Sequence, residues 1–164
     1  MKLFAVGLVL AAVPAASAQD HAHCHASPST ARREAVDHRH DDTTGVSHAA
    51  SVHHFLLAPD GGAIQLEATD DADAATRDRI REHLRAVATA FAAGDFSMPR
   101  RIHDQTPPGV ETMTERAAAI RYAFHPTDRG GQVTIATEDA AALSAVHAFL
   151  RFQIADHGTG DPVE

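Results

Sequence analysis

Two stretches of this chain repeat one order of signals, and that order leaves few folds open. Gly61-Gly62-x-Ile64-x-Leu66 is matched by Gly130-Gly131-x-Val133-x-Ile135, and each is followed by acidic residues and then a helical pattern. In the first stretch Ser51 to Ala58 reads as a strand, Pro59-Asp60-Gly61-Gly62 as a turn, and Ala63 to Thr69 as the returning strand. Asp70, Asp71 and Asp73 place acids at a helix start, and Ile80, Leu84, Val87, Ala88 and Phe91 recur at helical spacing until Gly94. In the second, Ala119 to His125 reads as a strand, Pro126 to Gly131 as a turn and Gln132 to Thr137 as a strand. Glu138-Asp139 then opens a helix carrying Leu143, Val146, Phe149, Leu150 and Ile154, stopped by Gly158. Two ββα units of this kind predict an α+β fold: one antiparallel sheet with both helices on one face, a two-layer sandwich. Asp95 to Arg116 joins them as a connection stiffened by Pro99, Pro107, Pro108 and Gly109, with a short helix expected from Val110 to Ala117.

What precedes residue 51 has a different character. Met1-Lys2 followed by the apolar run Leu3 to Val13 and by Ala16-Ser17-Ala18 has the layout of a signal peptide, with cleavage expected between Ala18 and Gln19. That run is too short to span a bilayer, so the reading is export to the periplasm or beyond the cell, with no membrane span. Residues 19–50 are rich in His, Asp, Ser, Thr and Ala and have almost no bulky apolar side chains. Such a segment buries too little surface to offset its ordering entropy, so a disordered His-rich tail is expected there. The domain reading is a signal peptide over 1–18, the tail over 19–50 and the α+β domain over 51–164.

The chain holds 13 histidines and one cysteine, and His21-Ala22-His23-Cys24-His25 concentrates three imidazoles and the thiol in five residues. Imidazole and thiolate are the ligands that zinc and copper take, so His21, His23, Cys24 and His25 are candidate ligands. Cleavage before Gln19 would make His21 the third residue, where a free amino group, two backbone amides and an imidazole can surround Cu(II) in a square plane. A single cysteine forms no internal disulfide. The net charge of −8 argues against nucleic acid, which calls for a basic face.

Inside the domain, His53 alternates with Phe55 and Leu57, His83 borders the first helical stripe, and His147 holds the matching place on the second. If Phe55 and Leu57 face the helices, His53, His83 and His147 point into the layer between sheet and helices and could share a metal ion with an open position. His103, in the connection with Met98 and Met113, joins them as a candidate ligand. The plainer alternative for each is a partly buried histidine satisfied by a carbonyl or carboxylate. The chain has no H-E-x-x-H, no C-x-x-C and no nucleophile elbow, so no catalytic residue is nominated.

His53-His54-Phe55, with Gly61-Gly62, Pro107-Pro108-Gly109, Phe149-Leu150-Arg151-Phe152-Gln153 and His157-x-Thr159-Gly160-Asp161, resembles a group of small exported bacterial α+β proteins over residues 51–161. The resemblance implies export and the α+β fold and brings no chemistry with it; the His-Ala-His-Cys-His segment lies outside it. The functional expectation is a periplasmic or secreted protein that captures, buffers or delivers a metal ion, copper ahead of zinc. The alternatives are a module that binds an envelope protein partner, with incidental metal affinity, or a small metal-dependent enzyme.

Overall fold

The computed structural model describes residues 30–164. Four strands form one antiparallel sheet: β1 (Ser51–Ala58), β2 (Gly61–Ala68), β3 (Ile120–Pro126) and β4 (Gly130–Thr137), in the order β1-β2-β4-β3. The two hairpins meet at β2 and β4, where Ile64 pairs with Val133 and Gln65 with Gln132. Strand alternation turns Phe55, Ile64, Leu66, Val133 and Ile135 to the same side, where all are buried. Two long helices cover that side, α2 (Ala74–Ala92) and α5 (Ala140–His157). The expected two-layer α+β sandwich is the architecture found.

Local chemistry explains the helix starts. Asp73 caps α2 by accepting from the backbone N–H of Thr76, and Asp139 caps α5 by accepting from Ala141 and Ala142. Each helix then crosses to the other unit: α2 lies chiefly over β3 and β4, α5 chiefly over β1 and β2. The repeated glycine pairs allow that crossing. They sit inside β2 and β4, not in the turns as expected, which shortens the first turn to Pro59-Asp60. A Cβ on Gly62 would strike Leu56 backbone and the Leu150 side chain of α5, and one on Gly130 would strike Leu66 backbone and crowd Ile80 of α2.

Two further helices occupy the connection, α3 (Ser97–His103) and α4 (Val110–Glu115). The second lies close to the expected 110–117. The first was expected only as stiff loop; Pro99 falls in its opening turn, where the missing N–H removes no helical hydrogen bond.

The segment before β1 departs from expectation. Residues 30–50 are not a disordered tail: α1 (Thr30–Thr44) and a 3-10 turn at His48–Ala50 pack onto the domain and bury Val36, His40 and Val46. The ordered domain therefore begins at least 21 residues earlier than residue 51. The proposed signal peptide over 1–18 and the candidate ligands His21, His23, Cys24 and His25 lie outside the described residues.

Candidate metal centre

α1 brings its histidine to the core by spacing alone. Arg32, Val36 and His40 recur every fourth residue, so they form one stripe along the helix. That stripe is held mainly by polar contacts. The Arg32 guanidinium meets the Asp156 carboxylate at 2.6 and 3.0 Å, and Arg39 donates to the Ile102 carbonyl at 2.6 Å. Gly45 ends the helix with φ +68°, and the chain folds back so that His48 faces the same place. Asp41 fixes this return by accepting from both the backbone N–H of His48 (2.9 Å) and its ring Nδ1 (3.1 Å). Burial works against the Asp41 carboxylate, but these bonds hold it below its ordinary range. With Nδ1 engaged, Nε2 of His48 is the nitrogen left for an ion.

The next residues belong to β1, where alternation points Ser51, His53 and Phe55 inward. Nε2 of His53 lies 3.1 Å from Nε2 of His40, and Nε2 of His48 lies 3.4 Å from Nδ1 of His157. Two nitrogens bound tetrahedrally to an ion at about 2.0 Å are about 3.3 Å apart. His40, His48 and His53 each place one ring nitrogen within 4.8 Å of the others; Asp37, His48 and His157 form a second such group. Around them the rings of His53, His48 and His157 stack nearly parallel, and His83 stands edge-on to His40 at 5.8 Å between centroids. His103 meets His157 at 5.0 Å.

Six imidazoles so close together cannot all carry charge. Burial, then repulsion from His48 and His83, pushes His40 down to about 3, and burial pushes His83 down to about 4. His53 and His157 are held well below the usual histidine range by burial first and by their neighbours second. At neutral pH these rings are uncharged, with one lone pair each, which is the form that binds metal.

His103 is placed differently. Its Nδ1 lies 2.6 Å from Asp156 Oδ2, and its Nε2 lies 2.8 Å from the Gln153 side-chain amide, so both ring nitrogens are engaged. Burial lowers its pKa against the pull of Asp156. The result is a buried relay from Arg32 through Asp156 and His103 to Gln153, which ties α1, α3 and α5 together. Beside it opens a cavity of about 50 Å³ whose lining includes His40, His53, His83, His103 and His157 together with apolar side chains such as Phe91 and Phe149.

Of the candidate ligands in the domain, His53 belongs to the three-histidine group, while His83 and His103 line the adjoining cavity. His147 is elsewhere: its Nε2 donates to the carbonyls of Ala58 and Gly61 at the β1–β2 turn, so it closes a hairpin and does not point into the shared layer. The cause is rotation around α5, which turns position 147 toward the end of the hairpin while Val146 and Leu150 face the core. Met113 is a fully buried core residue, apart from this cavity. Sequence reasoning missed His40 and His48, assigned to the tail, and passed over His157 at the end of its helical stripe. The fourfold spacing Arg32-Val36-His40 was the available signal. No protein-family model, curated protein or solved structure matches this chain.

Proposed function

We propose that this protein binds a transition-metal ion, zinc or copper, between His40, His48 and His53, and that it serves in capture, buffering or delivery of that ion outside the cytoplasm. The observation that carries this reading is the convergence of three imidazoles, one from α1, one from the 3-10 turn and one from β1, with nitrogens within 4.8 Å. Three uncharged nitrogen ligands suit both zinc and copper. Asp41 orients His48 through its second nitrogen, the role such carboxylates take around bound metals. Export rests on the sequence of residues 1–18, and the His21–His25 segment would deliver ions to the folded site.

Calorimetric titration of the full chain with Zn(II) and with Cu(II) tests this, against the double variant His40→Ala/His53→Ala. Both proteins keep His21, His23, Cys24 and His25, so the difference between them reports the folded site. One stoichiometric site lost in the variant, with unchanged circular dichroism, is the expected result. Equal uptake by the two proteins would sink the reading.

A further inference from the structure

His48 stands between two carboxylates of α1. Asp41 meets its Nδ1 at 3.1 Å, and Asp37, one helical turn earlier, places Oδ1 3.3 Å from its Nε2. The two contacts differ in kind. Asp37 Oδ1 is buried and accepts no hydrogen bond, so the approach of His48 is not one. A buried acceptor without a donor is uncommon in folded proteins, and beside imidazole nitrogens a metal cation would satisfy it. Nδ1 of His157 lies 3.4 Å from the same Nε2, and one atom from each of Asp37, His48 and His157 falls within 4.8 Å of the others. Both short separations match the roughly 3.3 Å between ligand atoms around a tetrahedral ion at about 2.0 Å. With Nδ1 of His48 taken by Asp41, Nε2 is the one atom left for this group and for the three-histidine group, so the two positions cannot be filled together. They also differ in access. The side chains of Asp37 and His48 are 35% and 19% exposed, that of His40 only 4%, and His53 is buried. An ion arriving from solvent meets Asp37 before it can reach His40. Water competes for the carboxylate there, which makes this position the weaker of the two.

Resting on the metal reading above, we infer that Asp37, His48 and His157 form a second, entry position for the ion, from which it passes to His40 and His53 while His48 stays bound. Asp37 and His157 leave the ion as the two buried imidazoles take their place, so His48 holds it throughout. An intermediate position of this kind lowers the barrier to entry and to exit alike and leaves the final affinity unchanged.

Stopped-flow mixing of the full-length protein with Zn(II) gives the loading rate, and mixing the loaded protein with saturating EDTA gives the release rate. Every variant keeps the His21–His25 segment, so differences report the folded positions. Asp37→Asn keeps the shape of the side chain and should slow loading and release alike by about tenfold, a barrier change of about 1.4 kcal/mol, with the dissociation constant within about twofold of the unaltered protein. His157→Phe keeps a ring in place and removes the ligand nitrogens. It should slow both rates in the same way, and Asp37→Asn/His157→Phe should slow them no further, because both residues serve one position. Asp42→Asn removes an exposed charge from the same helix and should leave both rates within about twofold. Unchanged rates in Asp37→Asn, or loading slowed equally by Asp37→Asn and Asp42→Asn with release unaffected, would overturn the inference and leave the metal site standing. Faster release and weaker binding in Asp37→Asn would overturn it too, by making Asp37 a ligand of the resting ion. A full chain that binds zinc no better than His40→Ala/His53→Ala would overturn the metal reading and this inference together.

Discussion

α1 and α2 are both helices laid against the same core, yet they are attached by different physics. α2 buries Ile80, Leu84, Val87 and Phe91 along one apolar stripe. α1 buries one aliphatic residue, Val36, beside one imidazole, and otherwise relies on Arg32–Asp156, Arg39–Ile102 and Asp41–His48. Apolar burial holds whatever the solution contains. A polar seam that ends in three converging histidines is responsive to protons and to metal, because both act on the imidazole lone pairs. On the proposed metal reading, the contrast between the helices is therefore one between scaffold and sensor.

The largest expected effect breaks the scaffold side. Leu84 is fully buried, and Leu84→Ala should cost about 2–5 kcal/mol of unfolding free energy, measured by chemical denaturation. The loss should be the same with and without metal, because Leu84 belongs to the apolar core and not to the proposed ligand group. A metal-dependent difference would mean that the two halves of the molecule are coupled more tightly than their packing indicates.

On the sensor side, metal should fasten α1. Two of the three ligands, His40 and His48, precede β1, so an ion bound with His53 closes the α1 segment onto the sheet. At a free ion concentration 100 times the dissociation constant the folded state should gain about 2.7 kcal/mol. Hydrogen exchange should slow in α1 more than in α2 when zinc is added, and chelation should reverse it. Equal slowing in both helices, or none in α1, would remove the distinction between them.

How much of this was legible in the sequence follows the same division. The two ββα units could be read because apolar periodicity, acidic caps at Asp73 and Asp139 and the glycine pairs are local signals. The glycines were placed in turns because their close-packing role, against Leu150 and Ile80, depends on helices far away in sequence. α1 was illegible for a physical reason: its partners Asp156 and Ile102 lie 124 and 63 residues from the arginines they bind, and no apolar periodicity announces them. A domain boundary at residue 51 would have cut His40 and His48 from His53. The candidate ligand His53 could be named from strand alternation, whereas His147 could not be excluded until the helix rotation was known.

Acid should act on the sensor before it touches the scaffold. His40 titrates at about 3 and His83 at about 4 in the folded protein, and His53 and His157 are also held below the ordinary 6.5. Between those values and 6.5 the unfolded chain binds more protons than the folded one, so stability rises with pH. The metal-free protein should thus have its full stability above about pH 6.5 and lose it on acidification, each ring contributing up to about 1.4 kcal/mol per pH unit. Thermal melts in chelator from pH 7.5 to 5 measure this. Asp73, Asp139 and Asp161, whose carboxylates are held below their usual value, stay charged through that window and leave it to the histidines. A flat profile would show that the six rings are hydrated in solution and not packed together.

The finest comparison is between two adjacent residues. Asp42 pairs with His38 at 3.2 Å on the outer face of α1, where the two side chains are 71% and 78% exposed. Asp41, one position earlier, turns inward and bonds the ring and backbone of His48. Chemically the residues are the same, and only their direction from the helix differs. Asp42→Asn removes a solvated i,i+4 pair and should change stability by about 0.3–0.5 kcal/mol at most, with metal affinity unaltered. Asp41→Asn keeps the shape but weakens the hold on Nδ1 of His48, and it should reduce metal affinity about 10- to 100-fold. Side-by-side zinc titrations of the two variants separate orientation of a ligand from general negative charge near the ion. If both lose affinity equally, the acidic surface of α1 attracts the metal and the inward geometry of Asp41 contributes nothing of its own.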